Sequence, residues 1–251
     1  LAEHALPTTV PGSIADHPIG HEHAHPPYLR HHFETVAQQH EASAMGMWLF
    51  LLTEFMFFGG MFMAYLVYRS WYYPAFVAGS HQLSIFRGTL NTVILIVSSL
   101  TMGLAVHAAR VRSQGRLVRM LIATALLGAV FLGIKGSEWK TEWTDHHVPG
   151  MNFSVEDFVN PPAGSTVKAL APDMAEHTQV YFSLYFAMTG MHALHMIIGL
   201  GMLIFLIVQA RAGAYTQGYS ATVEYIGLYW HFVDIVWTFL FPLLYLVNRH
   251  A

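Results

Sequence analysis

Five apolar stretches long enough to cross a bilayer dominate the sequence, at residues 44–67, 89–109, 117–138, 180–208 and 223–247. A hydrocarbon core of about 30 Å takes roughly 20 helical residues. Inside lipid each backbone N–H and C=O must be paired within the protein, which a helix achieves and an open strand does not. The stretches therefore predict an all-α fold, a polytopic membrane protein built as a five-helix transmembrane bundle, with the third helix running on toward Trp143. Composition agrees: 54% of the 251 residues are hydrophobic and 11% charged. A soluble domain, whose surface is wetted, carries about 25% charged residues.

The flanks divide the chain further. Residues 1–43 form a polar tail with eight His, and residues 44–248 form the membrane domain, with an acidic loop at 142–179. Tyr28 to Glu41 is expected to form a short interfacial helix leading into the membrane. The first residue is Leu, which points to a trimmed or processed start, and the polar opening shows no secretory-signal pattern. Arg110, Arg112, Arg116 and Arg119 crowd the connection between the second and third spans, and Arg211 follows the fourth. Positive charge marks the cytoplasmic side. The tail is thus expected inside, and the acidic loop and C-terminus outside, although Arg69, Arg87 and Lys140 weaken the bias. A net charge of −3 gives no sign of a nucleic-acid partner, and the absence of Cys excludes disulfides, thiolate metal sites and Cys nucleophiles.

Ionisable residues within the spans carry the functional signal, since each costs about 2.5–3.5 kcal/mol at the bilayer centre on insertion scales. Glu54 sits near the middle of the first span with no Lys or Arg three or four residues away. It reads either as a proton-exchanging or lipid-facing carboxyl, or as a protonated acid bonded to a neighbouring helix. His192 and His195 lie three apart on the fourth span and project to nearly one face. Two such rings can share a metal, but a metal site needs further ligands and a second shell. The pattern favours bonds to a carboxylate or carbonyl on another helix, or stacking on an aromatic. His231 and Asp234, at i and i+3 on the fifth span, can share a hydrogen bond as a polar staple. Glu138, near Lys135 and Glu142, reads as an interfacial side chain reaching toward water. Gly59, Gly60 and Ala64, and then Gly199 and Gly201, read as patches for close helix contact. The tail segment His21-Glu-His23-Ala-His25 offers transition-metal ligands, yet a loop without preformed geometry favours a solvated tail.

Four of these segments occur in order on matching spans: the Glu54 segment, Gly136-Ser-Glu138-Trp, Thr189-Gly190-Met-His192-Ala-Leu-His195, and Glu224-Tyr-Ile-Gly-Leu-Tyr229-Trp230-His231-Phe-Val-Asp234-Ile-Val-Trp237. Together they resemble the cytochrome c oxidase subunit III family of the haem–copper terminal oxidases, in a five-span form, over residues 44–248. The resemblance implies a non-redox accessory subunit with no cofactor of its own, haem and copper residing in partner subunits, and bound phospholipid. It implies contact with oxidase subunit I directly, proximity to subunit II and to small or supercomplex subunits, and a role in stabilising subunit I and sustaining proton uptake during aerobic respiration. Family members arrange seven spans as a V with lipids in the cleft. This chain matches the larger group of five, as do some bacterial members, and the resemblance implies a bacterial inner membrane. Glu54 matches the family's carbodiimide-reactive carboxyl, and His192, His195, Glu224, His231 and Asp234 match its other recurring polar positions. Ala44 stands where members often carry a basic residue, and Met63 where they carry a cleft Trp.

Other readings differ in chemistry. A quinol oxidase or nitric oxide reductase has the same subunit type, and the electron donor binds elsewhere. A redox subunit needs His on facing helices at matched depth, and the in-span candidates are His192, His195 and His231, with His107 at a span end. A stand-alone proton or ion transporter commonly shows internal repeats or interrupted spans, and none is visible in the sequence.

Overall fold

The computed structural model describes residues 35–162, 167–213, 215 and 221–248. The helices among them are α1 (Val36–Trp71), α2 (Tyr73–Gln82), α3 (Ile85–Arg110), α4 (Gln114–Thr144), α5 (Glu156–Val159), α6 (Pro172–Glu176), α7 (Thr178–Arg211) and α8 (Ala221–Tyr245). No strand occurs among the described residues. Five of these helical segments are long and apolar enough to span a membrane, as the sequence predicts.

The long helices form a ring with one outrigger. α3 packs along α4 and α8, α4 along α7, and α7 along α8, while α1 rests against α7, α8 and α2. In lipid such association depends on close packing and interhelical hydrogen bonds, because tails compete equally for apolar surface. Trp230 of α8 shows both. Its ring is fully buried. It occupies space left by Gly128 of α4 and Gly199 of α7, where an added Cβ would lie 2.7 Å and 3.0 Å from the indole. Its Nε1 donates to Ser98 Oγ on α3 at 3.0 Å. One side chain thus joins four helices.

α1 is attached mainly through its ends and middle. Thr35 caps its first turn by accepting from Gln38 N. Tyr225 of α8 donates to the carbonyl of His40 at 3.0 Å. At the opposite end, Tyr65 donates to the carbonyl of Leu243, and Tyr181 of α7 donates to that of Leu244 at 2.7 Å. Carbonyls in the last turn of a helix have no intrahelical partner, so these two phenols cap α8 and pin α1 and α7 to it.

Three expectations change. The described part of the expected interfacial helix, from Val36 onward, is the start of α1 itself, continuous with the first span. The short α2 was not foreseen. Gly59 and Gly60 face open space, as does Gly201, so they make no close helix contact here, whereas Gly199 does. The acidic loop, in its described part, folds back on the bundle: Leu170 N donates to the carbonyl of Phe158, whose ring is buried beside His147 and Phe182.

Candidate functional site

Glu54 and His195 meet across the α1–α7 contact, with Glu54 Oε2 2.9 Å from His195 Nε2. The partner of the carboxyl is therefore on another helix, 141 residues along the chain. His195 Nδ1 lies 2.7 Å from the carbonyl of Met191. A carbonyl only accepts, so Nδ1 carries a hydrogen. The pair then has two electroneutral forms: a neutral ring accepting from a protonated carboxyl, or an imidazolium donating to a carboxylate. Each form holds one proton between the two groups, and neither carries net charge. That resolves the cost of placing a lone ion in lipid. Phe58 lies 5.2 Å from the imidazole, and Tyr229 stacks against it at 6.5 Å. The Glu54 side chain keeps 20% of its surface open, against 10% for His195. The pair thus sits at the edge of the bundle, with the carboxyl reachable from outside.

The other predicted residues fall into separate places. His192 is buried with neither ring nitrogen hydrogen-bonded. It packs between Phe131 and Trp237, with ring centroids 5.5 and 5.3 Å away, so it faces the core while His195 faces α1. His231 Nδ1 is 2.6 Å from Ser99 Oγ on α3. The staple expected between His231 and Asp234 is absent: both Asp234 oxygens are buried without a hydrogen bond in the chain. Glu224 pairs with Arg110 at 2.9 Å, at the exposed ends of α8 and α3. Among the described residues, no three His, Asp or Glu side chains gather in a metal-binding group. The His21–His25 segment lies outside the described residues.

Glu138 is a further correction. It does not reach toward water but is fully buried. Lys135, one turn earlier, lies 3.5 Å from its Oε2. Tyr185 of α7 and Tyr245 of α8 complete a buried quartet. Each phenol accepts from Lys135 Nζ, at 3.0 and 2.6 Å, and donates to Glu138 Oε1, at 3.0 and 2.6 Å. The hydroxyls thereby connect ammonium to carboxylate, and the aromatic faces of Tyr185 and Trp237 lie 4.6 and 5.4 Å from the ammonium. Glu138 Oε1 thus accepts two hydrogen bonds, whereas Oε2 is buried without one among the described residues and has only the ammonium 3.5 Å away. The opposite charge and the bonds to Oε1 offset the cost of burying the pair. The sequence signal was present, in Lys135 three residues before Glu138, but both phenols lie on distant spans. Next to this quartet, His147 Nδ1 pairs with Glu142 at 3.0 Å, and its Nε2 lies 3.6 Å from Asp157.

The match to known proteins is broad. The model of the family described as cytochrome c oxidase subunit III matches residues 24–147 and 171–248. A probable quinol oxidase subunit 3 of Staphylococcus haemolyticus is 28% identical, over 88% of this chain and 98% of its own. A cytochrome c oxidase subunit 3 of Thermostichus vulcanus is 28% identical, over 92% and 93%. A cytochrome bo(3) ubiquinol oxidase subunit 3 of Pseudomonas aeruginosa is 29% identical, over 94% and 95%. The five apolar spans, the intramembrane acid–imidazole pair and a family match over most of the length lead to one conclusion: this chain belongs to the cytochrome c oxidase subunit III family of the haem–copper oxidases.

Proposed function

We propose that the chain is a non-redox accessory subunit of a haem–copper terminal oxidase in a bacterial inner membrane, which stabilises subunit I and sustains its proton uptake. The observation that carries this reading is the Glu54–His195 pair, one exchangeable proton held at mid-membrane on the side of the bundle where α1 is open. A proton passes over 2.9 Å without rearrangement of either helix, and the two forms differ in no net charge. Such a pair relays or buffers protons for a neighbour more readily than it holds a metal. The three in-span imidazoles also lie in three settings: His195 on Glu54, His231 on Ser99 and His192 between aromatic rings. Haem and copper belong in this reading to the partner subunits.

The Arg cluster at the α3–α4 connection supports a cytoplasmic N-terminus and an external C-terminus. Phospholipid tails cover the exposed apolar face of α1, where Trp48, Phe55 and Met63 each show more than half their surface. Relatives named for a quinol and for cytochrome c are equally similar, so similarity does not separate the two donors, and in this reading the donor binds the other subunits.

Purification through an affinity tag on this chain, in mild detergent, tests the reading. The preparation is expected to contain a haem–copper catalytic subunit and its visible spectrum, and the chain separated from it is expected to carry neither haem nor copper. Recovery of the intact chain without any oxidase subunit, or with haem on its own side chains, contradicts it.

A further inference from the structure

A shallow groove of about 460 Å³ runs between α3 and α8, on a face of the bundle that does not include the Glu54–His195 pair. Its walls are apolar and open: Ile96 and Leu100 of α3 are 60% and 63% exposed, and Ile235 of α8 is 55% exposed. Gly103 widens one end, and an added Cβ there would meet nothing within 4 Å. At the groove stands Asp234, 6% exposed, with neither carboxyl oxygen hydrogen-bonded. Ser99, also in the groove, has a single hydroxyl hydrogen and is already 2.6 Å from His231 Nδ1. Even turned toward Asp234, it leaves one carboxyl oxygen open.

An unsatisfied acceptor buried at this depth costs free energy, and the cost is removed when a donor arrives. Acyl chains bring no donor. Lipid headgroups do, but roughly 16–20 Å of helix separates Asp234 from either end of α8, which keeps it far from the headgroup layer. What fits is an apolar helix with one polar side chain at mid-span.

We propose that the α3–α8 groove is a docking site for a transmembrane helix of a partner subunit, which places a hydrogen-bond donor on Asp234. A carboxyl oxygen accepts that bond whether the acid is ionised or protonated, so the complementarity does not depend on pH. Ridges at Ile96, Leu100 and Ile235 supply the packing, Gly103 lets the partner backbone approach, and Asp234 sets depth and register. The inference rests on the chain being an oxidase subunit and adds which face the partner takes.

The test uses the assembled complex in native membranes. A photo-crosslinking amino acid at Leu100 is expected to join this chain to a second, different membrane subunit, while the same probe at Met56 on α1 marks another face. Asp234→Leu is expected to lower retention of that subunit about tenfold in detergent, while Asp234→Asn, which keeps an acceptor oxygen, retains it. The isolated Asp234→Leu chain should melt close to the parent, because it loses a polar group with at least one open oxygen and at most a contact with Ser99, whose hydroxyl also meets His231. Gly103→Leu, which fills open space, should also weaken retention. Crosslinks from Leu100 to lipid alone or to a second copy of this chain, or full retention with Asp234→Leu, overturn the docking site. Those outcomes leave the subunit assignment intact when the oxidase still co-purifies, and loss of the oxidase from the parent chain refutes the assignment itself.

Discussion

The hydroxyl of Tyr229 donates to the backbone carbonyl of His195 at 3.0 Å, so α8 holds the turn of α7 that presents the imidazole to Glu54. The aromatic body of Tyr229 also stacks beside that imidazole. One residue of the Tyr229-Trp230-His231 segment thus supports the acid–imidazole pair, the next locks the bundle, and the third turns to α3. Tyr229→Phe keeps the ring and removes the bond. It is expected to cost about 0.5–1.5 kcal/mol of stability and to leave assembly intact, as measured by thermal unfolding of the purified complex.

Glu54 Oε2 and His195 Nε2 lie 2.9 Å apart, and substitution separates the contact from the proposed proton exchange. The amide of Glu54→Gln can still donate to His195 Nε2, so the α1–α7 contact is kept while the exchangeable proton is lost. Proton uptake by the oxidase is expected to slow severalfold with initial electron transfer near the parent value, and the carboxyl band should vanish from difference infrared spectra. Glu54→Ala is expected to be worse for stability, since it strands a buried ring nitrogen at about 1–3 kcal/mol. Equal proton-uptake rates in parent and Glu54→Gln count against the pair's role.

The Lys135–Glu138 pair makes a sharper prediction about stability. Removing one member leaves the other charged and buried, so Lys135→Met is expected to cost about 3–5 kcal/mol. The double variant Lys135→Met, Glu138→Leu leaves no uncompensated charge and should recover much of the loss, although Tyr185 and Tyr245 then need new partners. A double-mutant cycle on thermal or denaturant unfolding measures the coupling.

Much of this was legible in the sequence, for identifiable reasons. The spans were legible because the length of an apolar run is set by the bilayer. Glu54 stood out because a lone acid among Leu and Phe is costly there, but its partner did not, because nothing local links residue 54 to residue 195. Glu138 was misread for the converse reason. Its position near a span end suggested water, but α4 continues as helix to Thr144, and the α7 and α8 ends carrying Tyr185 and Tyr245 enclose it. His231 and Asp234 are well spaced for each other, yet Ser99 on α3 takes the imidazole instead. Glycines divided the same way: spacing did not distinguish Gly60, facing open space, from Gly199, facing Trp230.

That division is itself testable. Gly128→Ala sets a Cβ against the Trp230 ring and is expected to destabilise by about 1–3 kcal/mol. Gly60→Ala meets open space and removes a helix-interior glycine, so it is expected to be neutral or stabilising by about 0.5–1 kcal/mol. Thermal unfolding of the two variants side by side checks both signs.

Counting the turnovers an oxidase completes before it inactivates, with and without this chain, addresses the proposed role most directly. The preparation lacking the chain is expected to begin oxygen consumption at close to the normal rate and to fail after far fewer turnovers, with durability restored by adding the parent chain back and restored less well by Glu54→Gln. Equal durability with and without the chain, or electron transfer that is absent from the first turnover without it, contradicts the account.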